Sequence, residues 1–125
     1  MSKDDEKSLV LMIDDDPDFK SIVRDWISPQ YNYASLPNGD DLIDEISGIE
    51  PNLIIMDVRM PGPDGFTLCR QIRADQRFNE IPILFLTGCK EDEDFFKHLK
   101  VGGTAYLTKP IARKQLLSTL NDLVR

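Results

Sequence analysis

Soft-metal and redox chemistry find few ligands in this chain, which holds two cysteines and one histidine among 125 residues. Cys69 and Cys89 show neither a CxxC pair nor metal-ligand spacing, so they read as free thiols in a reducing compartment. Basic residues are in deficit, 15 Lys and Arg against 22 Asp and Glu, for a formal net charge of -7. That balance argues against direct nucleic-acid binding through a basic surface. No apolar run approaches the length that crosses a bilayer, so no membrane partner is expected. Residues 1–8 are mostly charged and carry no apolar core of a signal peptide, which points to a cytoplasmic location.

What is present is an ordinary globular composition, 41% hydrophobic and 30% charged, at a length that suits one domain with a real core. Residues 1–8 read as a flexible leader and residues 9–125 as the domain. Leu9 to Ile13 is an unbroken apolar run that ends in Asp14-Asp15-Asp16-Pro17. It reads as a strand buried on both faces, followed by a helix with Asp16 as N-cap and Pro17 in the first turn. Phe19, Ile22, Val23, Trp26 and Ile27 follow at helical spacing until Ser28-Pro29. Tyr31 to Leu36 is a weaker strand. Asn38-Gly39-Asp40 then turns into a helix with Leu42, Ile43 and Ile46 inward, closed by Gly48 and Pro51.

Leu53 to Met56 is a third buried strand, broken at Asp57 and followed by the turn formers Pro61, Gly62, Pro63 and Gly65. A helix carries Phe66, Leu68, Cys69 and Ile72. Ile81 to Leu86 is the fourth strand, ending at Thr87-Gly88. Glu91 to Lys100 reads as a helix with Phe95, Phe96 and Leu99, stopped by Gly102-Gly103. Ala105 to Leu107 is a short last strand before Thr108-Lys109-Pro110, and Ile111 to Val124 is the closing helix with Leu116, Leu117, Leu120 and Leu123 inward. Five strands alternating with five helices imply a parallel sheet covered on both faces, joined by right-handed crossovers.

Parallel strands share one carboxyl edge, and ligands of open α/β sheets bind there. The residues just past the strands are Asp14 and Asp15, Asp57, Thr87 and Lys109. Packed carboxylates repel unless a cation joins them. A hard divalent cation, Mg²⁺ by default, suits Asp15 and Asp57 with Asp14 nearby. Lys109 and the Thr87 hydroxyl supply positive charge and a donor across from them. A phosphoryl group fits between, with Asp57 as the candidate nucleophile for an aspartyl phosphate.

The set Val10 to Asp18, Asp57-Val-Arg-Met-Pro-Gly-Pro-Asp-Gly65, Leu86-Thr-Gly88 and Gly102 to Pro110 resembles the receiver domains of response regulators in two-component signalling. The resemblance implies the flavodoxin-like, doubly wound five-stranded parallel sheet in strand order 2-1-3-4-5; this order is the one known for that family. It implies that Asp57 is the phosphoacceptor, that Asp14 and Asp15 form the acidic Mg²⁺ pair, and that the Arg59 backbone carbonyl is a further metal ligand. It assigns Thr87 as the switch hydroxyl, Lys109 as the lysine that pairs with the phosphoryl group before a cis Pro110, and Tyr106 as the aromatic that swings inward. The implied donor is a phosphohistidine on a histidine kinase or a histidine phosphotransfer protein. A downstream effector would read the face of helix 4, strand 5 and helix 5, and the chain would be a monomer or a phosphorylation-dependent dimer. Such a domain is not an enzyme with an external product; it catalyses only its own phosphorylation and dephosphorylation.

Departures from the family pattern are Gly88 and Gly103, where alanine is more usual, and Arg59 and Cys89, at positions that govern access of the hydrolytic water. Of the remaining residues, His98 is expected on the solvated side of its helix, without a metal or relay role. Trp26 and the Phe95-Phe96 pair are expected in or at the edge of the core, with one phenylalanine outward. Cys69 is expected in the core, and Arg113 and Lys114 on a solvated face. Two rival readings are a haloacid-dehalogenase-like phosphatase built on Asp14-x-Asp16, which lacks a further acidic pair after Lys109, and a receiver-like module that binds partners without phosphorylation.

Overall fold

A computed structural model describes residues 7–88 and 92–124. The apolar runs become parallel strands β1 (Leu9–Ile13), β2 (Asn32–Leu36), β3 (Leu53–Met56), β4 (Ile83–Thr87) and β5 (Ala105–Thr108). They form one sheet in the order β2-β1-β3-β4-β5, as expected. The helices are α1 (Pro17–Ile27), α2 (Leu42–Ile49), α3 (Gly65–Ala74), α4 (Asp92–Lys100) and α5 (Arg113–Leu123).

The ends of these elements differ from the expected ones for local reasons. Tyr31 donates its N–H to the Ile27 carbonyl and so belongs to the turn that ends α1. Pro82 has no N–H for a ladder bond. Its carbonyl accepts from Ile54, and β4 begins one residue later. Helix α2 runs through Gly48 and closes at Glu50, whose left-handed φ of 55° ends the helical path. Ala112 is extended, so α5 starts at Arg113 rather than Ile111.

Two apolar layers sandwich the sheet. Leu11, Ile13, Ile54, Met56 and Phe85 face α2 and α3, with Leu42, Ile46, Phe66, Leu68 and Cys69 packed on them. Val10, Met12, Leu53, Ile55, Leu84 and Leu86 face α1 and α5, against Val23, Ile27, Leu116 and Leu120. Adjacent strand residues go to opposite layers, and each large side chain fully buried this way contributes about 1.5–3 kcal/mol. In register, Leu36, Ile13, Met56, Phe85 and Tyr106 form one row across the sheet. The next residues of β1 and β3 are Asp14 and Asp57, so the row sets both carboxylates at one edge.

Helix α4 inverts the usual pattern. Asp94 and His98 are its buried residues, at 8% and 2% exposure, while Phe95, Phe96 and Leu99 are 44%, 59% and 55% exposed. The expectation of a solvated His98 is therefore corrected; of the Phe95-Phe96 pair, Phe96 is outward as expected of one of them, while Phe95 is also exposed rather than core, its ring set against His98 and Tyr106. The stripe that meets the sheet is 94, 98 and 101, at helical spacing, and it is polar until Val101. His98 satisfies its burial locally: its Nδ1–H donates to the Phe95 carbonyl. Its ring lies 5.0 Å from that of Tyr106, 4.9 Å from Phe95 and 6.1 Å from Phe85.

Gly103 makes room for this ring. A Cβ there would come within 2.7 Å of His98 Cδ2 and 2.8 Å of Phe85 Cε2. Gly103→Ala is expected to lose about 1–3 kcal/mol by overpacking, and His98→Ala in the same chain to recover part of that loss in a double-mutant cycle of urea melts. Burial also pushes the His98 imidazole below its ordinary 6.5, against the Phe95 hydrogen bond that favours the charged ring. A lowered folded pKa means that stability is full above about 6.5 and falls as pH drops below it, because the unfolded chain takes the proton first. A melting series from pH 7.5 to 5 is expected to show a steeper decline for the wild type than for His98→Phe.

Candidate functional site

The carboxyl edge is assembled by backbone bonds that continue the ladder past the strands. Asp14 N–H donates to the Leu36 carbonyl at 3.2 Å and Asp57 N–H to the Ile13 carbonyl at 3.0 Å. Both carboxylates are nearly enclosed, at 1% and 7% exposure, while Asp15 is exposed. One ligand oxygen from each of Asp14, Asp15 and Asp57 lies within 4.8 Å of the others, a hard-oxygen group that could hold a metal ion. Asp14 Oδ1 accepts the Asp16 N–H at 2.9 Å, and Asp57 Oδ1 accepts the Val58 N–H at 2.8 Å.

Lys109 faces the other oxygens. Its Nζ lies 3.1 Å from Asp14 Oδ2 and 3.7 Å from Asp57 Oδ2, and sits 4.4 Å over the Phe19 ring. The Lys109 N–H donates to the Thr87 carbonyl at 2.8 Å, which ties the end of β5 to the end of β4, and the Lys109–Pro110 bond is cis. One cation against two buried anions leaves the cluster electron-rich. Accordingly the Asp14 carboxyl lies above its ordinary range. Burial is the main cause and the Asp57 charge adds to it, against the Asp16 N–H and Lys109.

Thr87 ends β4 fully buried, two positions past Phe85 and so on the same sheet face as Phe85 and Tyr106. Tyr106 is half-buried, its ring 6.3 Å from Phe85 and 5.8 Å from Phe95. Arg59, in the loop after β3, sends its guanidinium to Asp94 of α4 at 3.6 Å. That ion pair, linking the loop to α4, was not legible in the sequence, because nothing local signals a contact between elements. Gly88 has open space where a Cβ would stand, and Cys89 lies outside the described residues. Asp16 Oδ1 caps α1 by accepting from Asp18 and Phe19 at 3.0 and 3.2 Å. It is therefore committed away from the cluster, which weakens the dehalogenase-like reading.

Comparisons with known proteins agree with this geometry. The family model for the response regulator receiver domain matches residues 10–121. The chain is 33% identical over 117 residues to the transcriptional regulatory protein GltR of Pseudomonas aeruginosa, covering 93% of this chain and 48% of that protein. It is 30% identical over 118 residues to the hybrid signal transduction histidine kinase D of Dictyostelium discoideum, covering 94% of this chain and 8% of that one. The chain thus spans about half the length, or less, of these curated relatives. Among solved structures, Vibrio cholerae chemotaxis protein CheY4 superposes with a TM-score of 0.87 at 27% identity, over 94% of this chain and 98% of that one. The receiver domain of sensor histidine kinase PA1611 from Pseudomonas aeruginosa gives 0.85 at 26%, over 94% and 97%, and it holds a magnesium ion in its active site cleft. No helix of the described residues is long and apolar enough to cross a membrane. This chain belongs to the response regulator receiver domain family of two-component systems.

Proposed function

We propose that this domain is a phosphorylation switch in which Asp57 accepts a phosphoryl group from a phosphohistidine of a histidine kinase or histidine phosphotransfer protein. The observation that carries the reading is the Asp57 carboxylate set between two further carboxylates and the Lys109 ammonium. Asp57 Oδ1 is engaged by the Val58 N–H, which orients Oδ2 for attack on phosphorus. The new O–P bond forms as the P–N bond breaks, and the imidazole leaves with its electron pair. Lys109 is placed to neutralise the phosphoryl oxygens. The residues fit Mg²⁺: Asp14, Asp15 and Asp57 would hold it, with the Arg59 carbonyl as a further ligand. Bound there, the ion would supply the charge neutralisation that lets an anionic phosphoryl group approach an anionic site.

Thr87 and Tyr106 are the switch pair in this reading. Their shared sheet face supports a coupling by which a phosphoryl group drawing on Thr87 biases the Tyr106 ring. An effector would then read α4, β5 and α5. The domain acts in the cytoplasm and, beyond its own phosphorylation and dephosphorylation, turns over no external substrate.

The test is intact mass after incubation with acetyl phosphate. One added phosphate is expected on the wild type and none on Asp57→Asn, at short times and with Mg²⁺ only, and a chelator should abolish it. No adduct at any time point would sink the switch and leave a constitutive binding module. Turnover of a small phosphate ester would instead revive the hydrolase.

A further inference from the structure

The exposed side of α4 bears a groove that the phosphorylation chemistry does not use. It has a volume of about 740 Å³ and is lined by Arg70 of α3 and by Glu93, Phe96, Lys97, Leu99 and Lys100 of α4. It lies on the α3 flank of α4, away from β5. Its floor is apolar, from two of the most exposed large hydrophobic side chains of the described residues, Phe96 and Leu99. Phe96, with Phe95 and Leu99, faces outward while Asp94 and His98 of the same helix are buried. Burying the polar stripe and exposing the apolar one costs stability in the isolated domain, so the arrangement calls for a function. Among the described residues the rim carries three cations and one anion, in a chain whose formal net charge is -7. Arg70 and Lys100 make no ion pair with any described residue, while Lys97 Nζ rests 5.3 Å over the Phe66 ring.

We infer that this groove docks an acidic amphipathic helix of a partner protein. The charge of the rim sets the sign of the partner. A helix is favoured over an extended segment because the lining residues come from two helices, and none belongs to a strand that could pair with an extended segment. Residues 93, 96, 97 and 100 recur at helical spacing and present a ridge for a third helix to straddle. A second copy of this chain is a poor occupant: a twofold contact would set the same basic rim against itself. The inference stands whether or not Asp57 is phosphorylated.

Phage-displayed peptides of about 16 residues, roughly 24 Å as a helix, are panned against the folded chain, and the recovered peptides are mapped by amide chemical shifts. The expected peptides are net acidic, with apolar residues at i, i+3 or i+4, and i+7. They should move the amides of Arg70, Phe96, Leu99 and Lys100. Phe96→Ala and Lys97→Glu/Lys100→Glu are expected to weaken them at least about tenfold, with circular dichroism unchanged because these side chains are exposed. Affinity should fall as salt rises. No enrichment, enrichment of basic or non-helical sequences, or shifts centred elsewhere would overturn the inference. So would light scattering that shows a dimer broken by the same substitutions.

Discussion

Asp57→Asn is expected to gain no mass with Mg²⁺ and acetyl phosphate while melting at a higher temperature than the wild type in chelator at pH 8. The first half follows from chemistry: an amide oxygen is a poor nucleophile and the isosteric side chain offers no carboxylate to phosphorylate. The second half follows from the electrostatics of the edge. The Asp14 carboxyl is held above its ordinary 3.8 by burial first and by the Asp57 charge as well. A raised folded pKa means that this group's stability contribution is fully present below about 3.8 and is lost as pH rises through the folded value. At pH 8 without a divalent cation the wild type carries the whole penalty. Removing the Asp57 charge relieves part of it, a gain of about 1 kcal/mol for an effective dielectric near 20 with Lys109 screening the pair. Mg²⁺ should shrink the difference by raising the wild type more than the variant. A variant that melts below the wild type in chelator would mean that Lys109 already compensates Asp57 and that the cluster stores no repulsion.

Gly65→Ala is the substitution expected to damage fold and site together. A Cβ at Gly65 would stand 2.1 Å from the Asp57 carbonyl oxygen and 3.0 Å from Met56 Cγ. The first of these is backbone, so no rotamer change relieves it; either α3 or the Asp57 peptide must move. The Gly65 N–H also donates to the Val58 carbonyl at 2.8 Å, which holds the two segments in close register. Overpacking of this kind is expected to cost about 3 kcal/mol. Because the displaced peptide carries the nucleophile, the rate of phosphoryl acceptance should fall at least about tenfold. Urea melts and timed intact-mass measurements check both effects. Gly88→Ala is the control, since open space surrounds its Cβ and its backbone is not left-handed. It should change stability by no more than about 0.5 kcal/mol. Equal behaviour of the two alanine variants would rule out close approach as the reason for glycine at position 65.

The alternation of strands and helices, and the set Asp14, Asp15, Asp57, Thr87 and Lys109, could be read from the chain alone, because both rest on local signals. An apolar run that stops at a carboxylate marks the end of a buried strand wherever it occurs. In a parallel sheet every such end lies on one edge, so topology turns four separate strand ends into one candidate site. Asp16 as a cap and Cys69 as core needed nothing more, whereas the strand order was implied only by the family resemblance. What the linear pattern could not decide is which stripe of a short, mixed helix meets the sheet. In α4 the apolar residues 95, 96 and 99 suggested a stripe in or at the edge of the core with one phenylalanine outward, yet Asp94 and His98 are the buried residues and all three apolar ones are exposed. The same holds for Gly65 and Gly103, whose necessity lies in atoms that approach from distant segments, and for the Arg59–Asp94 pair. Local propensity and hydrophobic runs specify elements and their ends. The rotation of a helix about its own axis, and the room left beside each backbone, are set only when the elements pack against one another.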